Sequence, residues 1–316
     1  MLEPPPPSDV VCKSAAATAI PEAELPSNAA RATLRGCDGE ALYYGIGMPV
    51  DYERARLCAL AEGQQDGASV IGGPEILMML YANGRGVRAN YDLALRFACQ
   101  VGGAPAELSL RISKLWDARL KGTLEGVMDV CDDVTSGHMS GSCAAHTERV
   151  NAGSRNARKQ VAVQGMPAAE LAALDAAAKR YFEVRSREEV DMTGTMRAVF
   201  SIEEQAELED GLVSSLEHLR NPSFLPKSAE SRQVERDLAT ALSGLMTCKD
   251  SPQLEQILPG SITRAGIRKT HQVWLAYRQA FARLALRVRP ESSRESWLAW
   301  LGEQRLTQLK SLSNPC

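Results

Sequence analysis

Aromatic residues are scarce, at 5% of a 316-residue chain, and no run of alternating β-branched residues ends in hairpin turns. These shortages argue against a sheet-based fold and favour helix, as do the plentiful alanine and leucine. No stretch approaches the roughly eighteen consecutive apolar residues of a membrane span. The net charge of −3 gives no general reason to expect nucleic acid as a partner. Catalytic signatures are missing too: there is no Gly-x-Ser-x-Gly elbow, no Walker loop and no His-Glu-x-x-His pair. "GIGMPV" and "NGRGV" lack the preceding strand of a dinucleotide fold and read as turns. The histidines at 138, 146, 218 and 271 show no nucleophile spacing. Glu203 and Glu207 are i, i+4 neighbours on an acidic helix face, which reads as solvated rather than as a general acid and base. We therefore expect no enzyme, no catalytic residue, no cofactor and no metal.

What is present is charge segregation and cysteine. From Ser261 to Cys316 ten Lys/Arg face three Asp/Glu, whereas from Tyr181 to Glu217 ten acidic residues face three arginines. Two solvated helix faces of opposite sign explain this; a basic face meeting an acidic partner is the sharper reading. The eight cysteines, spread over most of the chain, fit an oxidising compartment better than a reducing cytosol. The start "MLEPPPPSDVV" has no charged-then-apolar signal pattern and reads as a mature N-terminus with a stiff, extended proline run. A removed export signal and periplasmic residence are the expectation.

The stretch "CDDVTSGHMSGSCAAH" sets Cys131, His138, Cys143 and His146 within sixteen positions. The residue types suit zinc, but there is no Cys-x-x-Cys knuckle. A Cys131–Cys143 disulfide closing a Ser-Gly-rich loop between two antiparallel helices is favoured, with both histidines left at the surface. Cys37 and Cys58 would tie the first helix of a hairpin to the far end of the second. Cys12, Cys99 and Cys248 have no assignable partner, and Cys316 at the terminus reads as free.

Helix signals are frequent. Ser27, Asp51 and Asn90 are N-cap residues before apolar periodicity, and Pro167 suits a first turn. Ser228 and Ser261 open two further helices, and a last one runs from about Ser292 to Leu312. Shifting the sequence by 39 residues places Gly45 on Gly84, Gly47 on Gly86, Asp51 on Asn90, Tyr52 on Tyr91 and Ala55 on Ala94. Paired glycines permit a tight inter-helix turn, the Asp or Asn caps the next helix, and the small alanine allows close approach. Such a period of helix–turn–helix units reads as a solenoid.

At these residues the chain resembles the Sel-like repeat, a tetratricopeptide-related unit. Tyr81, Gly84, Gly86, Val87 and Ala94 match its pattern, and Asn90 replaces the usual Asp. In the first copy Leu42 and Met48 stand at the tyrosine and valine positions. "ELSLRISKLWDARLKG" suggests an eroded third unit. Two stacked hairpins without a binding role and a partner-recruiting scaffold both fit.

A second resemblance lies in "THQVWLAYRQAFARLA" with "WLGEQRLTQLK", which is similar to the LprI-type domain of exported bacterial proteins, named after a lysozyme inhibitor. Trp274, Leu275, Tyr277, Arg278, Ala280, Arg305 and Leu309 match. His271 takes the place of a glutamine, and Phe281 and Ala282 lie where a cysteine is common, which puts that family's disulfide in doubt. From the residues alone, Trp274, Tyr277 and Phe281 share one helix face, and Arg278 lies beside Trp274. A structural clamp inside a bundle is favoured over an exposed binding face.

The expected fold is all-α: a Sel-like helix–turn–helix solenoid, then long helices and a small helical bundle. The divisions are a proline-rich segment 1–26, a repeat region 27–130, a linking long-helix region 131–227 and an LprI-like domain 228–316. The resemblance implies a periplasmic protein-binding protein that acts as an inhibitor of, or immunity factor against, a lysozyme-like cell-wall hydrolase. From the charges alone, the acidic stretch from Glu203 to Asp210 would steer a basic hydrolase on encounter. The alternative is an envelope scaffold that recruits a partner through its repeats.

Overall fold

The computed structural model describes residues 6–62, 70–226, 231–247 and 260–312. Among the described residues there are thirteen α-helices and no strand, so the fold is all-α. Two compact units, Met1–Gly153 and Ser154–Cys316, divide the chain.

In the first unit, helices α1 (Ser8–Ala15) and α2 (Asn28–Thr33) precede α3 (Gly39–Tyr44), α4 (Tyr52–Glu62), α5 (Gly73–Asn83), α6 (Tyr91–Ala98) and α7 (Pro105–Lys121). The 39-residue repeat becomes two helical hairpins, α3–α4 and α5–α6, whose turns match bond for bond. Gly45 and Gly84 end their helices in the left-handed region, at φ 76° and 64°. The Asp51 N–H donates to Leu42 O at 2.9 Å, and the Asn90 N–H to Tyr81 O at 3.0 Å. The Asp51 carboxylate then accepts from Arg54 N–H at 2.9 Å, and the Asn90 amide oxygen from Leu93 N–H at 3.1 Å. Each cap satisfies an orphan donor of the first helical turn. One turn later, Ala55 and Ala94 are wholly buried.

Seven consecutive residues of α5, Ile76 to Ala82, are buried, so this helix is apolar all round. Its position explains why: α4 and α6 both pack against it. The second turn also rests on the first hairpin. A Cβ on Gly86 would lie 2.6 Å from the carbonyl carbon of Tyr52, a backbone atom that opens α4.

Pro7 keeps the extended backbone expected of the proline run, at φ −47° and ψ 140°, and a helix follows it. Pro7 is the N-cap, and Ser8–Ala15 form α1, which buries Val11 and Ala15 against α6 and α7. The alternation of polar and small residues after the prolines hid this helix.

Helix α8 (Gly137–Val163) contains the unit boundary. The second unit continues with α9 (Ala168–Glu188), α10 (Arg197–Arg220), α11 (Ser231–Thr247), α12 (Arg264–Val288) and α13 (Arg294–Leu312). Helix α12 packs on α9 and α13, and α11 packs on α13. Trp297, Phe281, Leu284 and Ile267 form the centre of this core. Two helix starts differ from expectation. Pro167 is the N-cap of α9 rather than its first-turn residue. Thr263, not Ser261, caps α12 by accepting the Gly266 N–H at 3.0 Å, while Ser261 Oγ accepts Met192 N–H at 2.7 Å. Ser228 lies outside the described residues.

Candidate functional site

The three disulfides among the described residues all lie in the first unit. Cys37 pairs with Cys58 and Cys131 with Cys143. Cys12 pairs with Cys99, 87 residues away, and so fixes α1 to the end of α6. That last pair was invisible in the sequence because nothing local announces that α1 docks there. Cys248 and Cys316 lie outside the described residues. The Cys131–Cys143 bond does not pin two antiparallel helices. Helix α7 has already ended at Lys121, and the bond ties the preceding turn to the second turn of α8.

The two histidines of that stretch part company. His138 is exposed, but His146 is buried, which corrects the expectation of a surface residue. His146 Nδ1 lies 2.6 Å from Oε1 of Glu40, a side chain with no exposure at all. Arg149, one helical turn on, bonds both Glu40 and Asp38, and the Val70 N–H donates to Glu40 at 2.8 Å. Burial alone would raise the Glu40 pKa. The His146 bond, the Val70 amide and the Arg149 cation outweigh it and hold the carboxyl below its usual range. The network fastens the start of α8 to the start of α3. Glu40 and His146 form its buried centre, while Arg149 and Asp38 at its edge are about a quarter exposed.

Glu107 does similar work at the start of α7. It reaches back to the Ala104 N–H at 2.6 Å and accepts Thr135 and Ser136 N–H groups at 2.7 and 2.6 Å. Burial opposes its ionisation, but those three backbone donors prevail and draw its pKa down to about 2.

In the second unit the four residues singled out in the sequence are brought together, and all are buried: Trp274, Tyr277, Arg278 and Arg305. Arg278 lies 5.0 Å from the Trp274 ring centre and donates to Leu298 O at 2.8 Å and to Glu235. Tyr277 stacks on Tyr181 at 5.4 Å. Arg305 is held by Glu189. His271 stacks on Trp274, and its buried Nδ1 has no hydrogen-bond partner. Burial and then the Arg305 cation push its pKa below the ordinary histidine range. The cluster joins α9, α11, α12 and α13 as a clamp, and none of its four members offers a face to a partner.

The acidic stretch of α10 is also less open than its sequence suggests. Arg155 lies 2.9 Å from Glu209 and 3.5 Å from Asp210, Arg158 pairs with Glu217 and Asp210, and Arg185 bonds Glu204. Glu203 and Glu207 remain exposed. A cavity of about 390 Å³ between α8, α9 and α10 is lined by charges that pair across it, Arg155 with Glu209 and Lys159 with Asp175.

Among the described residues no helix is long and apolar enough to cross a membrane, and no three His, Cys, Asp or Glu side chains gather to hold a metal ion. No protein-family model, curated protein or solved structure matches the chain.

Proposed function

We propose that this chain is a non-enzymatic, exported protein-binding protein of the bacterial envelope, acting as an adaptor whose Sel-like hairpin array recruits a partner. The observation that carries the reading is the covalent fastening of that array by Cys12–Cys99 and Cys37–Cys58, with a third disulfide, Cys131–Cys143, beyond it at the start of α8. Disulfides persist in oxidising compartments such as the periplasm, and they hold a short helical array in one shape for binding. Photocrosslinking in cells from Arg88, exposed in the second hairpin's turn, tests it. A discrete adduct with an envelope protein is expected. A series of such positions over α3–α6 giving no adduct would sink the reading.

Inhibition of a lysozyme-like hydrolase, the reading the LprI-like residues suggest, ranks second. In its favour, Glu203 and Glu207 stand exposed one turn apart on α10 and would attract a basic enzyme. Against it, every LprI-like residue except Leu275 is buried, and neighbouring Glu209 and Asp210 face arginines. A muramidase assay at micromolar protein decides: unchanged activity removes this alternative.

A further inference from the structure

Three helices of the hairpin array each send one side chain to the same stretch of N-terminal chain. From α4, Arg56 Nη1 donates to Glu24 O at 2.5 Å. From α5, the Tyr81 hydroxyl donates to Glu24 Oε2 at 2.6 Å, its ring stacked on Phe97 at 5.8 Å. From α6, Arg96 donates to Thr18 O. The stretch they hold, residues 16–26, has only one short 3-10 turn, Glu22–Glu24, and leaves Pro21, Glu22, Ala23 and Leu25 exposed. Its hold is therefore peptide-like: two backbone carbonyls and one carboxylate taken by donors from a preformed helical face.

The fit is incomplete in two places. Arg56 is 7% exposed, yet its buried Nε–H has no acceptor. A cavity of about 200 Å³ lies between α1, Thr18 and Trp116, and the buried indole N–H of Trp116 is also without an acceptor. Buried donors of this kind are costly to leave unmet, about 1–3 kcal/mol each. A ligand with one more acceptor near Arg56 would bind this face better than residues 16–26 do.

We infer that Arg56, Tyr81 and Arg96 form a binding site for an acidic peptide of a partner protein that presents a glutamate in a short turn, and that residues 16–26 occupy it in cis. The inference rests on the adaptor reading for its biological setting, while the groove stands on its own contacts. The disulfide from Cys12 to Cys99 keeps the cis segment close, so its effective concentration is high and a partner must displace it. Apparent affinity for the partner is reduced by the fraction of time the cis segment is seated.

The test uses the full oxidised chain and a fluorescent peptide of residues 16–27, AATAIPEAELPS. Glu24→Gln in the chain weakens the cis contact, so this peptide should bind at least about tenfold more tightly than it binds the unmodified chain, one lost charge-assisted bond being worth that factor or more. A peptide with Gln at the position of Glu24 should lose that gain, with no further change to the protein. Tyr81→Phe added to the Glu24→Gln chain should lose it as well, while keeping the ring that packs on Phe97. Equal affinity for the two peptides, or no gain from Glu24→Gln, overturns the inference. An Arg88 crosslink that survives Glu24→Gln with Tyr81→Phe unchanged in yield keeps the adaptor reading and also overturns the groove. Absence of any crosslink with the peptide results as expected overturns the adaptor reading alone.

Discussion

Arg305 and Glu189, 116 residues apart, meet through two parallel hydrogen bonds of 2.6 and 2.5 Å, and neither side chain has any exposed surface. The pair links α13 to the end of α9 at the centre of the second unit. Arg185 Nε approaches the same carboxylate at 3.4 Å and bonds Glu204, so the charges form a small chain. Such a pair adds little net stability compared with apolar residues, yet it is severe to break.

Arg305→Met alone should therefore cost about 3–5 kcal/mol, because Glu189 is left buried with an inadequate partner. Changing both residues, Arg305→Met with Glu189→Leu, should recover most of that loss. Urea unfolding followed by tryptophan fluorescence checks both, since Trp274, Trp297 and Trp300 all lie in this unit.

The two repeat turns give a second comparison. Gly47 and Gly86 occupy equivalent positions with φ of 70° and 62°, but a Cβ on Gly47 would meet nothing within 4 Å. Gly47→Ala should cost about 1–2 kcal/mol, the left-handed backbone penalty alone. Gly86→Ala adds a clash with the Tyr52 backbone and should cost a further 1–3 kcal/mol or so, as forced overpacking does. Thermal or urea midpoints of the two variants measure the difference. Equal losses would show that the second turn does not rest on the first hairpin.

Glu107 gives a prediction in pH. Its folded pKa, about 2, lies below the ordinary glutamate value of 4.5. A depressed carboxylate stabilises the fold above the unfolded value, and the contribution disappears as pH falls through the folded one. Relative to Glu107→Gln, the native chain should be more stable by up to about 3 kcal/mol at pH 7. The gap should narrow below about pH 4.5 and close near pH 2. Urea melts of both chains between pH 7 and 2 provide the measurement; a gap independent of pH would contradict the role of its three backbone donors.

How much of this was legible follows from the range of each interaction. The hairpin turns could be read because a glycine pair, an Asp or Asn cap and a buried alanine obey local backbone rules, and they recur 39 residues apart. Cys131 and Cys143, twelve apart across a turn-rich loop, were legible for the same reason. His146 looked like a surface residue because Glu40, which makes it structural, lies 106 residues earlier. The acidic run of α10 looked like a free electrostatic surface because Arg155 and Arg158 lie on another helix. The clamp of Trp274 and Arg278 was half legible: their adjacency follows from helical spacing, whereas Glu235 and Leu298 O come from other helices.

An exported adaptor requires that the chain mature in an oxidising compartment with its disulfides formed. Disulfide mapping of the denatured, unreduced protein recovered from its native compartment tests it most directly. Linked peptides should join Cys12 to Cys99, Cys37 to Cys58 and Cys131 to Cys143, leaving at most Cys248 and Cys316 to titrate as thiols. Titration of all eight cysteines, or different pairings, would contradict it.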